Sequence, residues 1–162
     1  MKDAVGSTML VYIVIIVVGI VGSILIASNM YTSAYKAKNN IVSEIDRYYT
    51  VHGNTTCFGD DGVCTNSINS TLKNMGYHLN KDNLCNDKIL AKVTKSAKNS
   101  DGDIVPVTSL IYEGDGYCIY KTGENDYYYT VVTFSHLNIN VLGIGSLFST
   151  PVYGETRTYY NS

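Results

Sequence analysis

Tryptophan is absent from these 162 residues, proline occurs twice, and charge is scarce. Twelve Lys and Arg stand against fourteen Asp and Glu, a net charge of -2. Without a basic surplus there is no patch to release phosphate counterions, which excludes nucleic acid as a partner. No Gly-x-x-x-x-Gly-Lys-Ser/Thr loop and no His-Glu-x-x-His helix occurs, so the usual phosphate cradle and zinc-hydrolase site are missing. His52, His78 and His136 are scattered, and none sits in a recognisable nucleophile pattern. The closely spaced acids, Asp60-Asp61 and Asp101/Asp103, fall in Gly-containing turns that favour Asp for backbone reasons. Too few carboxylates follow Asn99 to Asp103 for an EF-hand loop. The expectation is a protein that is not an enzyme and binds neither cofactor nor metal.

One absence points somewhere. Met9 to Ala27 contains no charged side chain and is apolar all round, not striped. As a helix it would cover roughly 28 Å, close to the hydrocarbon thickness of a bilayer. Residues 1–8 are too short for an ordinary signal-peptide n-region, and no small-x-small cleavage site follows the apolar run. The segment is therefore read as a retained transmembrane helix. Gly19, Gly22 and Ser23 within it allow close approach of another helix, although glycine is common in membrane helices generally.

Nor is there a stop after the anchor. Met30 to Tyr49 holds no Pro or Gly, and Tyr31, Ala34, Ile41, Ile45 and Tyr48 recur at helical spacing. The first strong stop is His52-Gly53-Asn54. One helix from about Thr8 to Tyr49 would have a lipid-embedded half and an amphipathic half that packs on the C-terminal domain. The division is then 1–8 as a short cytoplasmic N-terminus or leader, 9–27 as the membrane helix, 28–52 as its extracytoplasmic continuation, and 53–162 as a globular domain.

All four cysteines, Cys57, Cys64, Cys85 and Cys118, lie beyond the anchor. An even set there fits an oxidising exterior and two disulfides. Of three possible pairings the short 57–64 loop favours Cys57–Cys64, leaving Cys85–Cys118. A zinc site is the alternative, but no Cys-x-x-Cys pair or nearby His supports it. Charge bias opposes an exterior domain, because only Lys2 precedes the anchor whereas Lys36, Lys38 and Arg47 follow it. The cysteines and the polar, Tyr-rich composition favour it, and the reading follows them.

Further along, Gly53 to Asn66 reads as a turn-rich loop. Ser67 is a cap for a short helix carrying Ile68, Leu72 and Met75 and ended by Gly76. Lys88 to Thr94 reads as a weak strand and Asn99 to Asp103 as a turn. Ile104 to Tyr112 and Tyr117 to Lys121 flank the hairpin signal Glu113-Gly-Asp-Gly116. Tyr127 to Val141 is a long strand broken by Gly143-Ile-Gly145, and Phe148 to Tyr160 a last one, with Pro151 at its start or on an edge. The fold class expected is α+β: a long helix packed on an antiparallel sheet of about four strands. Asn54-Thr-Thr56 and Asn69-Ser-Thr71 match the glycosylation pattern but reflect composition. Tyr127-Tyr-Tyr129 offers either adhesive surface or half-buried strand packing.

A helix that leaves a membrane and enters a small sheet resembles pilins and pseudopilins. Ala34-Tyr-Lys-Ala-Lys-Asn-Asn-Ile41, running into Ile45, resembles the post-anchor helix of Gram-positive relatives of the TadE/TadF family. Tyr128-Tyr-Thr-Val-Val-Thr-Phe134 and Pro151-Val-Tyr-Gly-Glu-Thr-Arg-Thr158 resemble the C-terminal strands of those proteins. The resemblance implies a minor pilin or assembly component of a tight-adherence (Flp-type) pilus in a bacterial cell membrane. Its partners would be membrane lipid, other pilin-like subunits and an assembly platform, and its processing point would be Gly6–Ser7. With Ser7 first, the fifth mature residue is Val11, where this class usually carries glutamate. The other function considered is a signal-anchored extracytoplasmic domain that binds a surface glycan or envelope protein.

Overall fold

The computed structural model describes residues 2–52, 57–58, 62–77, 84–96, 107–124, 126–137 and 148–160. The stop at Gly53-Asn54, the turn at 99–103 and the break at 143–145 lie outside them, as do Asn54-Thr-Thr56, Asp60-Asp61 and His78.

Helix α1 runs unbroken over 51 residues, Lys2–His52, a rod of about 77 Å. With neither Pro nor Gly after Gly22, nothing interrupts its ladder on leaving the apolar run. Ala34, Ala37, Ile41, Ile45 and Tyr49 form its buried stripe. The sequence pattern omits Ala37 and Tyr49 and includes Tyr31, which is 50% exposed, because the stripe advances by threes and fours from Ala34; Tyr48 is half-buried and packs against the same core from the edge of the stripe.

Helix α2, Val63–Asn74, begins four residues before the expected cap. Gly62 supplies the start at φ 59°, and the Asn66 amide donates to the Gly62 carbonyl at 2.9 Å. Ser67 is instead within the helix, donating to Glu44 Oε2 at 3.2 Å. The end is the expected one. The Gly76 amide donates to Lys73 O and the Tyr77 amide to Leu72 O, each at 3.0 Å, with Gly76 left-handed.

Residues 88–94 are helical, not extended: α3 spans Asp87–Ser96. Ile89, Leu90 and Val93 fall on one helical face and pack on the sheet, a spacing that overrides the β-branched content. Asn86 Oδ1 accepts the Ile89 amide at 3.2 Å as an N-terminal cap.

The strands are β1 (Val107–Gly114), β2 (Tyr117–Thr122), β3 (Asp126–Leu137), β4 (Phe148–Glu155) and β5 (Tyr159–Tyr160). Their antiparallel path is β1-β2-β3-β4, with β5 pairing to the start of β3. Asp115-Gly116 closes the first hairpin, Gly116 at φ 90°. The expected single last strand is two, because Thr156 leaves the ladder. Its Oγ1 accepts the Tyr129 amide at 3.0 Å while its own amide donates to Tyr129 O at 2.9 Å. Pro151 lies on the outer strand of the path, opposite Phe134.

Alternation along the strands gives two cores. Tyr117, Ile119, Tyr129 and Val131 face α1 and α2, whereas Cys118, Tyr120, Val132 and Phe134 face α3. The result is α+β: a long N-terminal apolar helix packed on a small antiparallel sheet.

Candidate functional site

The candidate functional element is α1. From Met9 to Ile26 its large apolar side chains are at least half exposed, Leu10 at 63% and Leu25 at 65%. Leaving each such side chain in water forgoes roughly 1.5–3 kcal/mol of burial. Among the described residues it is the one helix long and apolar enough to cross a membrane. Gly19 and Gly22 have nothing within 4 Å of where a Cβ would stand. The Ser23 hydroxyl donates to the Gly19 carbonyl at 2.8 Å, so it does not oppose an apolar surrounding. Gly19, Gly22 and Ser23 therefore form a shallow notch that nothing among the described residues fills. Gly6 and Ser7 lie within the same helix.

Seven residues past the apolar run the helix enters the domain. Ala34, Ile41 and Ile45 contact the protein's own sheet side and are completely or almost completely buried. Thr133 Oγ1 donates to the Ala34 carbonyl at 2.9 Å, tying β3 to the helix backbone. The aliphatic stem of Lys38 crosses β4 at Gly154, where a Cβ would sit 2.5 Å from Lys38 Cδ. Any side chain at 154 would have to displace that stem.

At the outer end aromatic residues lock the joint. Tyr49 stacks on Tyr159 at 4.1 Å between centroids, and its hydroxyl shares a 2.6 Å hydrogen bond with Tyr129. Phe58 meets Tyr129 edge-on at 5.2 Å. The Tyr159 hydroxyl donates to Asp46, and Arg157 Nη2 donates to Thr50 Oγ1 at 2.7 Å. Burial pushes the Tyr77, Tyr127 and Tyr129 hydroxyls up to about 12. Tyr49 and Tyr159 are also raised, mainly by burial, with the Asp46 carboxylate adding to the effect at Tyr159. Neutral, hydrogen-bonded phenols of this kind hold a joint; they do not act as bases near neutral pH. In the run 127–129 two of the three tyrosines are buried, so packing, not an adhesive surface, accounts for them.

The four cysteines come together as Cys57–Cys64 and Cys85–Cys118, with Cα separations of 5.2 and 5.7 Å. The first fastens the turn at 57–58 to α2; the second fastens the start of α3 to β2. His52 stacks on Tyr48 at 4.3 Å, and His136 sits in β3 opposite Ser149. Among the described residues no group of three or more His, Cys, Asp or Glu could hold a metal ion. Asn69, first residue of a glycosylation match, is in α2 with its side-chain Oδ1 accepting the Tyr117 hydroxyl at 2.8 Å. Two open clefts flank α2. One of about 300 Å³ includes Glu44, Arg47, His52 and Val63 in its lining, and one of about 530 Å³ includes Asn69, Lys73, Tyr77 and Asp115.

Comparison with protein families, curated proteins and solved structures finds no match. Signals for the joint were present but partly unread: Tyr49 follows Ile45 by one helical turn, and Tyr159 follows the Thr156 break.

Proposed function

We propose that this chain is a non-enzymatic, membrane-anchored, pilin-like subunit of a bacterial pilus or secretion assembly. Its N-terminus would be cytoplasmic and residues 53–162 extracytoplasmic. One observation carries the reading: a single unbroken helix is bare and apolar in its inner half and keyed into a sheet in its outer half. Such a rod transmits lateral packing of anchors into a fixed placement of domains, as a pilin-like subunit requires. The open notch at Gly19, Gly22 and Ser23 gives a neighbouring helix a place of close approach. The two disulfides agree with an oxidising exterior.

The test is a photo-crosslinking residue at Ile20, with Tyr160 as control, in the full chain in its native cells. Covalent adducts to other apolar-helix subunits from position 20 are expected. Recovery of monomer alone would contradict lateral assembly.

The second reading is a signal-anchored domain that binds a surface glycan or envelope protein. It draws on the open cleft whose lining includes Asn69, Lys73 and Asp115. Glycan binding abolished by Lys73→Ala would favour it over the first.

A further inference from the structure

Strand β3 runs antiparallel to α1. Tyr129 meets Tyr49 near the helix's outer end, whereas Thr133 meets Ala34, fifteen residues nearer the anchor. The strand then continues past Thr133 to Leu137, and β4 starts opposite it at Phe148. Four further strand residues cover about 13 Å, and somewhat less along a helix that they cross obliquely. A helix spans that distance in about seven to nine residues. The β3–β4 end of the sheet is therefore level with Leu25 to Ala27, the outer margin of the apolar run.

Burial along α1 agrees. Ala27 and Met30 are half-buried on the face that carries Ala34 and Ala37, while Leu25 and Ile26 beside them are exposed. One and two helical turns beyond Ala27, Tyr31 and Tyr35 are exposed, and Lys38 Nζ lies 4.1 Å from the Tyr35 ring centre. Exposed tyrosine with lysine just beyond an apolar span is the composition of a membrane interface.

We infer that the β3–β4 end of the sheet is a second membrane contact, lying in the lipid interface beside the point where α1 leaves the bilayer. The inference rests on the anchor reading of α1 and is continuous with it. Depth is limited by the backbone: β4 is the outer strand of the sheet path, and unpaired amides and carbonyls are too costly for the hydrocarbon centre. The headgroup and upper acyl region accommodates them. The contact seats the domain against the membrane and restricts its swing about the anchor, leaving its outer end, at Tyr159–Tyr160, turned away.

The absence of tryptophan makes the test direct, since an introduced indole is the only one in the chain. The full chain is reconstituted in phosphatidylcholine–phosphatidylglycerol vesicles with brominated acyl chains. Single variants are Ile20→Trp in the anchor, Phe148→Trp and Leu137→Trp at the sheet end, and Tyr160→Trp at the far end. Bromolipid is expected to quench Ile20→Trp strongly, to reduce emission from Phe148→Trp and Leu137→Trp roughly twofold, and to leave Tyr160→Trp unchanged. Two sheet-end positions keep the result independent of one variant's folding. Quenching at Ile20→Trp with none at either sheet-end position overturns the contact while leaving the anchor intact. Protection of those positions from aqueous acrylamide without bromolipid quenching means that protein covers them, and also overturns it. Loss of quenching at Ile20→Trp overturns the anchor itself.

Discussion

Tyr49 and Tyr129 show how much of the joint depends on single hydroxyls. Each is the other's partner at 2.6 Å in a buried setting, so removing one takes from the other its short buried hydrogen bond. Tyr129→Phe is expected to cost about 1–3 kcal/mol, and the Tyr49→Phe/Tyr129→Phe pair less than the sum of the singles. Urea denaturation in detergent micelles measures both. The same phenols set an alkaline limit. Tyr77, Tyr127 and Tyr129 hold their protons to about 12 when folded, against the usual value near 10 when unfolded. Above pH about 10 the unfolded chain therefore binds fewer protons than the folded one, so stability falls as pH rises towards 12 and is unaffected by these groups below 10. Absorbance of tyrosinate, followed together with circular dichroism, should show their ionisation coinciding with unfolding. Ionisation complete well before structure is lost would contradict their burial.

At the scale of elements, α1's outer half, the Asp115-Gly116 hairpin and the end of α2 at Gly76 were readable because local chemistry and tertiary packing agree there. Two consecutive hairpin residues and a left-handed glycine need no distant partner to be recognised. Where they disagree, the reading failed. Residues 88–94 look extended by β-branched content, but the disulfide at Cys85 and the stripe Ile89, Leu90 and Val93 place a helix against the sheet. Thr156 ends β4 through a hydrogen bond to a residue twenty-seven positions away, which periodicity cannot report. Ile41→Ala should cost about 2–5 kcal/mol, as its side chain is 1% exposed between helix and sheet. For the disulfides, chain entropy alone gives about 2.5 kcal/mol for the 57–64 loop and about 3.8 kcal/mol for the 85–118 loop. Replacing Cys85 and Cys118 together by Ala should lower the thermal midpoint more than replacing Cys57 and Cys64. The reverse order would show that the shorter loop stabilises by more than closure.

For the whole molecule, the long apolar run and its unbroken continuation were plain in the sequence, because lipid and helix geometry act on composition alone. What the continuation packs against was not, since sheet and helix meet across about a hundred residues of sequence, as in the Thr133 to Ala34 hydrogen bond. The bare inner half and the buried outer half belong to one rod, so whatever holds the apolar half fixes the direction in which the domain projects. Extraction from membranes should accordingly require detergent and resist high salt or alkaline carbonate, because apolar contact and not charge holds it. Release by carbonate would contradict a spanning helix. The membrane-anchored, pilin-like reading is tested most directly by the N-terminal sequence of the mature protein recovered from its own cells. A chain beginning at Ser7, cleaved after Gly6, is the predicted result; a chain beginning at Met1 would contradict processing as a pilin and leave a plain anchor.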